Sequence, residues 1–177
     1  MEKFIKVYDN IISPIFQNEI ENFLISNKLP YYFSHNAVRE DNENFTPAFF
    51  HSFTEVNENF SRQPSFYIFN ILYKFCFSKN ITLYNILRAR THIQLPSISP
   101  QVHSPHIDDN DPHWVLLYYV NDSDGDTILY KDKTIIKKVS PKKGRMVFFD
   151  GSIWHSASTP QKNVRSVINF NFIGSKL

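Results

Sequence analysis

The chain has 177 residues, with 19 Lys and Arg against 17 Asp and Glu, seven His, one Cys and 16% aromatic residues. That length fits one domain, and 42% hydrophobic residues exclude a disordered chain, while four Gly and ten Pro exclude collagen-like or low-complexity classes. A formal net charge of +2 predicts no nucleic acid and no anionic membrane as partner, and the single Cys excludes an internal disulfide framework or a cysteine-cluster metal site.

Taken in chain order, Lys3–Tyr8 alternates enough to predict a short strand. Ser13-Pro14 reads as an N-cap followed by Pro at the first helical position. Ile15, Phe16, Ile20, Phe23 and Leu24 then recur at helical spacing, which predicts a helix to about Ser26. Residues 30–62 show no clear period and read as loops, a short strand or a lid. Their aromatic segments, Tyr31–Phe33 and Phe49–Phe53, fit packing under a sheet or covering a substrate. Pro64 opens a second predicted helix to about Phe77, with Cys76 between Phe75 and Phe77 as a buried, inert thiol. The opening MEKFIKVYDN carries charges where a signal peptide needs an apolar stretch, and no run reaches the ~18 apolar residues of a membrane span. A cytoplasmic protein is the expectation.

From Leu87 the pattern becomes that of β structure, with short β-branched and aromatic runs at Leu87–Leu95, Trp114–Asn121, Thr127–Tyr130, Thr134–Val139, Arg145–Phe149 and Val164–Ile173. Turn clusters separate them: Asp122–Asp126, Pro141–Gly144 and Asp150–Ser152. Short strands at near-regular spacing suggest an antiparallel barrel or sandwich. The fold class is therefore α+β: one domain over residues 1–177, in which 1–86 is helical support with a lid as one reading of its middle, and 87–177 is the barrel core.

The chemistry is concentrated where four of the seven histidines fall, between residues 92 and 113. His106 and Asp108 stand two apart, so in an extended strand both point to one face and both can grip one ion. His155, after the turn at Gly151, offers a third ligand. Two imidazoles and one carboxylate on one side of an octahedron leave three open positions, the facial triad of non-haem Fe(II) oxygenases. Arg165, ten residues after His155 and opening the last β run, supplies a guanidinium able to bind a carboxylate bidentately.

With these residues in place the sequence resembles the 2-oxoglutarate/Fe(II)-dependent dioxygenases, nearest the prolyl 4-hydroxylase-like branch and its phage-encoded relatives. The resemblance covers roughly Leu87–Ile173, and its matching stretches are SPHIDDND, WVLLYYVNDSDGDTILY, PKKGRMVFFDGSIWHSASTP and VRSVINFNF. The resemblance implies a double-stranded β-helix, the jelly-roll or cupin-like barrel. It implies Fe(II) on His106, Asp108 and His155, with Arg165 pairing with the distal carboxylate of 2-oxoglutarate as cosubstrate. It further implies that Tyr119 hydrogen-bonds that carboxylate, and that O2 is consumed with succinate and CO2 released. Many relatives carry Arg-x-Ser, whose serine also contacts the cosubstrate; here Val167 stands in that place, and Asn169, two further on, is the candidate polar contact. The location would be a host cytoplasm for a phage-encoded member.

The implied reaction is hydroxylation of a peptidyl substrate, with a prolyl side chain as first choice on family analogy. The rival readings are a same-fold oxygenase for a free amino acid, metabolite or nucleobase, and a non-catalytic metal-binding barrel. Trp154 and Phe148-Phe149 are expected to wall the site, and His103 and His113, which flank the motif, to sit in exposed loops rather than to contact the ligands or substrate; His92, with Arg90 and Gln94 at strand spacing, is expected to line the interior or pack structurally. Asp122–Asp126 departs from the EF-hand pattern at its sixth and twelfth places and is expected to form a turn.

Overall fold

A computed structural model describes residues 4–36, 46–54 and 65–175. Ten strands and two helices are described: β1 Ile5–Tyr8, α1 Pro14–Leu24, β2 Tyr32–Ser34, β3 Ala48–Ser52, α2 Ser65–Ser78, β4 Leu83–Gln94, β5 Trp114–Tyr119, β6 Thr127–Lys131, β7 Thr134–Val139, β8 Met146–Asp150, β9 Trp154–Ala157 and β10 Arg165–Gly174. They form a seven-stranded antiparallel sheet in the order β1-β8-β5-β10-β4-β3-β2 and a three-stranded sheet in the order β7-β6-β9. The helices cover one face of the large sheet and the small sheet lies against the other, the arrangement of a double-stranded β-helix.

Strand parity explains that layering. Leu116, Tyr118, Phe148, Ile168 and Phe170 point toward the helices, where they join Ile20 and Leu24 of α1 and Ile68, Ile71, Leu72 and Phe75 of α2 in one buried cluster. Their strand neighbours Val115, Leu117, Tyr119, Val147, Phe149 and Val167 point the other way and meet Leu129 and Val139 of the small sheet in a second cluster. A strand buried on both faces reads as a continuous apolar run, which is what WVLLYY is.

Pro14 occupies the first turn of α1, and Ser13 stands at the N-cap with extended backbone but without a side-chain capping bond. The two segments of residues 30–62 that are described prove to be strands: β2 and β3 extend the large sheet beyond β4, with Phe49 and Phe50 opposite Ile93 and His92. Residues 37–45 and 55–64 lie outside the described residues, and with them most of the lid reading. The sequence pattern also passes over β9, four residues too short to show a period, yet it carries His155. Burial lifts the Cys76 thiol to about 11, so it is protonated at neutral pH. Asp124 accepts backbone N–H groups from Gln161 and Lys162, and Asp122 accepts one from Lys143, so this acidic cluster ties loops together. No described helix is long and apolar enough to cross a membrane.

Candidate functional site

Between the sheets lies a cavity of about 380 Å³, lined from β4, β10, the loop before β5 and the small sheet. The loop runs along β9 as a short extra strand. His106 and His155 exchange backbone hydrogen bonds of 3.0 and 2.9 Å, and His103 N donates to Ala157 O at 2.9 Å. This pairing sets the two imidazoles side by side, with ring centroids 4.6 Å apart. Asp108 follows two residues after His106, and ligand atoms of His106, Asp108 and His155 all lie within 4.8 Å of one another.

Hydrogen bonds fix how the imidazoles face. His106 Nδ1 lies 3.2 Å from Ser104 O, and His155 Nδ1 lies 3.1 Å from Ile153 O. A carbonyl only accepts, so both Nδ1 atoms carry the proton and Nε2 is the nitrogen left to face a ligand. Those Nε2 atoms are the ones turned to Asp108, at 3.9 and 3.7 Å. Burial holds the His155 imidazole down at about 4, against the opposing pull of Asp108, so it is neutral at neutral pH. Burial alone would raise the Asp108 carboxyl, but His155, Arg88 and two amides outweigh it and keep it ionised well below the usual carboxylate range. Two imidazole nitrogens and one ionised carboxylate form a donor set that fits a divalent first-row metal with open positions.

Asp108 is itself held. Asn169 Nδ2 and Asn171 Nδ2 donate to its Oδ2 at 2.9 and 2.8 Å, and Arg88 pairs with its Oδ1. Arg88 Nε also donates to Asn171 Oδ1 at 2.8 Å, closing a ring of contacts between β4 and β10. Asn169 lines the cavity on the same face as Arg165, as its spacing predicts, but its amide is spent on Asp108.

Arg165 lies 5% exposed at the other end of the cavity. Its Nε donates to Gly125 O at 2.9 Å, Nη1 to Gln94 Oε1 at 3.2 Å and Nη2 to Thr127 Oγ1 at 2.9 Å. Each terminal nitrogen carries a second N–H, the pair a carboxylate fork requires. Gly125 permits this fit: a Cβ there would come 2.6 Å from Ser158 O and 3.0 Å from Arg165 Cδ. Tyr119 sits behind the guanidinium, 5.8 Å from ring centroid to Arg165 Cζ. Its hydroxyl donates to Thr127 Oγ1 at 2.7 Å, and it is not among the residues lining the cavity. In this geometry Tyr119 orders Thr127 and the back of Arg165.

Other expectations need correction. Trp154 is 50% exposed and Phe148 belongs to the helix-side core, so neither walls the cavity; only Phe149 approaches, edge-on to His155 at 5.1 Å. His103 and His113 are buried rather than in exposed loops. His103 lines the cavity beside Gln94, and His113 packs on Gly151, where a Cβ would meet its ring at 2.4 Å. His92 lines the cavity. Arg90 and Gln94, at strand spacing from His92, line the cavity with it, and sequence reasoning missed Arg88, Thr127 and Asn171.

Residues 93–173 match the family model described as 2OG-Fe(II) oxygenase superfamily. No curated protein sequence matches. Among solved structures the chain is similar to an oxidoreductase of the 2OG-Fe(II) oxygenase family from Burkholderia pseudomallei, at 14% identity and TM-score 0.73, covering 95% of this chain and 84% of that one. It is similar to the viral collagen prolyl hydroxylase of Paramecium Bursaria Chlorella virus-1 in its 2OG complex, at 18% identity and TM-score 0.62, covering 99% and 98%. A prolyl hydroxylase from Trichoplax adhaerens, in complex with a hypoxia inducible factor peptide fragment, aligns at 14% identity and TM-score 0.65 over 97% and 84%. At these identities the structural likenesses establish the fold.

Proposed function

We propose, from the premise that the chain carries a 2OG-Fe(II) oxygenase domain over residues 93–173, that it is a dioxygenase hydroxylating a peptidyl substrate, with a prolyl side chain as first choice. The observation that carries this reading is the convergence of His106 Nε2, His155 Nε2 and the Asp108 carboxylate in a cavity that Arg165 also lines. The prolyl choice draws on the likeness to two prolyl hydroxylases, one viral and one in complex with a peptide. Likeness to an α-ketoglutarate-dependent epimerase of nogalamycin biosynthesis, at 8% identity and TM-score 0.66, favours a free metabolite as second reading.

In this reading His106, Asp108 and His155 hold Fe(II), and Arg165 grips the distal carboxylate of 2-oxoglutarate. The bound pair supplies O2-dependent oxidative decarboxylation, which yields succinate, CO2 and a hydroxylated substrate. The protein's own contributions are positional and electrostatic. Carbonyls of Ser104 and Ile153 hold the imidazole tautomers, and Asn169 and Asn171 fix the rotation of the Asp108 carboxylate. Gln94, Thr127 and Gly125 aim the Arg165 fork. Leu117 and Val167 are the apolar lining beside it, and they exclude water from the carboxylate contact.

Succinate formation is the test. It is expected to require Fe(II), O2 and 2-oxoglutarate together, and prolyl peptides are expected to gain the mass of one oxygen. His155→Ala is expected to abolish both signals; undiminished turnover in that variant would sink the assignment.

A further inference from the structure

The wall that joins the two ends of the cavity holds a polar side chain that the protein itself does not engage. Strand β10 turns Arg165, Val167 and Asn169 to the cavity, and β4 sets Gln94, His92 and Arg90 opposite them in that order. At the first pair Gln94 accepts from Arg165 Nη1. At the third pair Asn169 holds Asp108. A ligand that reaches from Arg165 to the metal ligands therefore passes the middle pair, Val167 and His92.

In that middle row the other side chains have nothing to offer such a ligand. Tyr119 stands opposite Val167 from β5, but its hydroxyl donates to Thr127. Val167 carries no polar atom on its side chain. The His92 ring makes no hydrogen bond to any described residue, and it is part-exposed where it lines the cavity. It also stands outside the cluster made by the ligand atoms of His106, Asp108 and His155, so it is placed for the organic ligand rather than the ion. Burial first, then Arg90 and Arg88, hold its imidazole down at about 3. At neutral pH the ring is therefore neutral and offers one N–H donor and one lone pair.

We propose that His92 donates a ring N–H to a carboxylate of 2-oxoglutarate and so acts as a further binding residue for the cosubstrate. This rests on reading the site as a 2-oxoglutarate/Fe(II) centre and adds a contact to it. The carboxylate and keto oxygens of that molecule only accept, so the tautomer whose N–H faces the cavity is the one that binds. A hydrogen bond to a charged acceptor is roughly twice as strong as one between neutral groups. His92 thereby supplies from β4 the polar contact that Val167, its cross-strand neighbour, does not supply from β10.

The experiment loads the full chain with Mn(II) and measures by calorimetry the affinities of 2-oxoglutarate and of 2-oxovalerate, which has the same carbon chain without the distal carboxylate. His92→Phe keeps a ring but removes the donor, and is expected to weaken 2-oxoglutarate about tenfold or more while leaving Mn(II) affinity in place. His92→Gln keeps an N–H and is expected to fall between. A loss confined to 2-oxoglutarate assigns the contact to the distal carboxylate, and an equal loss for 2-oxovalerate assigns it to the keto-acid end; either supports the proposal. A second readout, which altered packing in a variant does not touch, uses the wild type loaded with Zn(II) and isotope-labelled histidine. The His92 ring nitrogen resonances, assigned by their absence from His92→Gln, are expected to shift as 2-oxoglutarate saturates the site. Unchanged 2-oxoglutarate affinity in a folded His92→Phe overturns the proposal, as do His92 resonances that stay in place at saturation. Wild type that takes up no Mn(II) or no 2-oxoglutarate overturns the underlying reading and the proposal with it, and this shows at the first step, before any variant is compared.

Discussion

Arg165→Gln tests the proposed cosubstrate contact apart from the proposed metal centre. Arg165 reaches Gly125, Gln94 and Thr127, none of which touches His106, Asp108 or His155 in the hydrogen-bond network. Glutamine keeps a polar end but loses the fixed charge and the fork. A charge-assisted, bidentate contact in a buried site is worth about 3 kcal/mol, which corresponds to roughly a 100-fold rise in the KM for 2-oxoglutarate. The same substitution leaves Gln94 Oε1 and Gly125 O short of a donor, while Thr127 Oγ1 keeps the Tyr119 hydroxyl, so a stability loss of about 2–4 kcal/mol is expected alongside. Two assays separate the effects. Succinate release against 2-oxoglutarate concentration reads the cosubstrate contact, and Mn(II) titration calorimetry reads the triad. The expected pattern is a large KM rise with Mn(II) affinity within about threefold of wild type. A KM change below threefold in a folded variant would refute the assignment of Arg165.

Asn171→Leu removes one donor from Asp108 Oδ2 and the acceptor for Arg88 Nε, so calorimetric Mn(II) affinity is expected to fall about tenfold or more. Gly125→Ala puts a methyl against Ser158 O and Arg165 Cδ, and is expected to cost about 1–3 kcal/mol in urea unfolding while raising the 2-oxoglutarate KM. The His92 imidazole is depressed in the folded state, so the unfolded chain takes up that proton first as pH falls. Stability from its neutral form is complete above the unfolded value near 6.5 and is lost toward about 3, at up to ~1.4 kcal/mol per pH unit. With metal chelated, wild type is expected to lose about 2 kcal/mol more than His92→Gln between roughly pH 6.5 and 4.5 in urea midpoints. Parallel pH profiles of the two proteins would contradict it.

What the sequence made legible, and what it did not, follows from the difference between parity and register. Parity along one strand is visible in a single chain: His106 and Asp108 share a face, and so do Arg165, Val167 and Asn169. The same alternation marks Arg88, Arg90, His92 and Gln94 on β4, so the signal for the missed residues was present. Their importance was not, because it depends on which residue of β4 faces which residue of β10. That pairing sets Arg165 opposite Gln94 and Asn171 opposite Arg88, and both pairs are hydrogen-bonded through their side chains. A slip of one residue would turn every one of these side chains to the helix face. Register is fixed by the apolar alternates of the same strands: Ala89, Ile168, Phe170 and Phe172 are all buried in the helix-side cluster. The helices therefore do more than support the barrel. By accepting Ile168, Phe170 and Phe172, they hold β10 in the register that gives Asp108 its amide donors and Arg165 its partners. The same reasoning explains Tyr119: it lies opposite Val167 on the interior face, as its motif implies, yet the distance across to β6 lets Thr127 capture its hydroxyl. Thr127, not Tyr119, then presents a hydroxyl to the cavity beside Arg165.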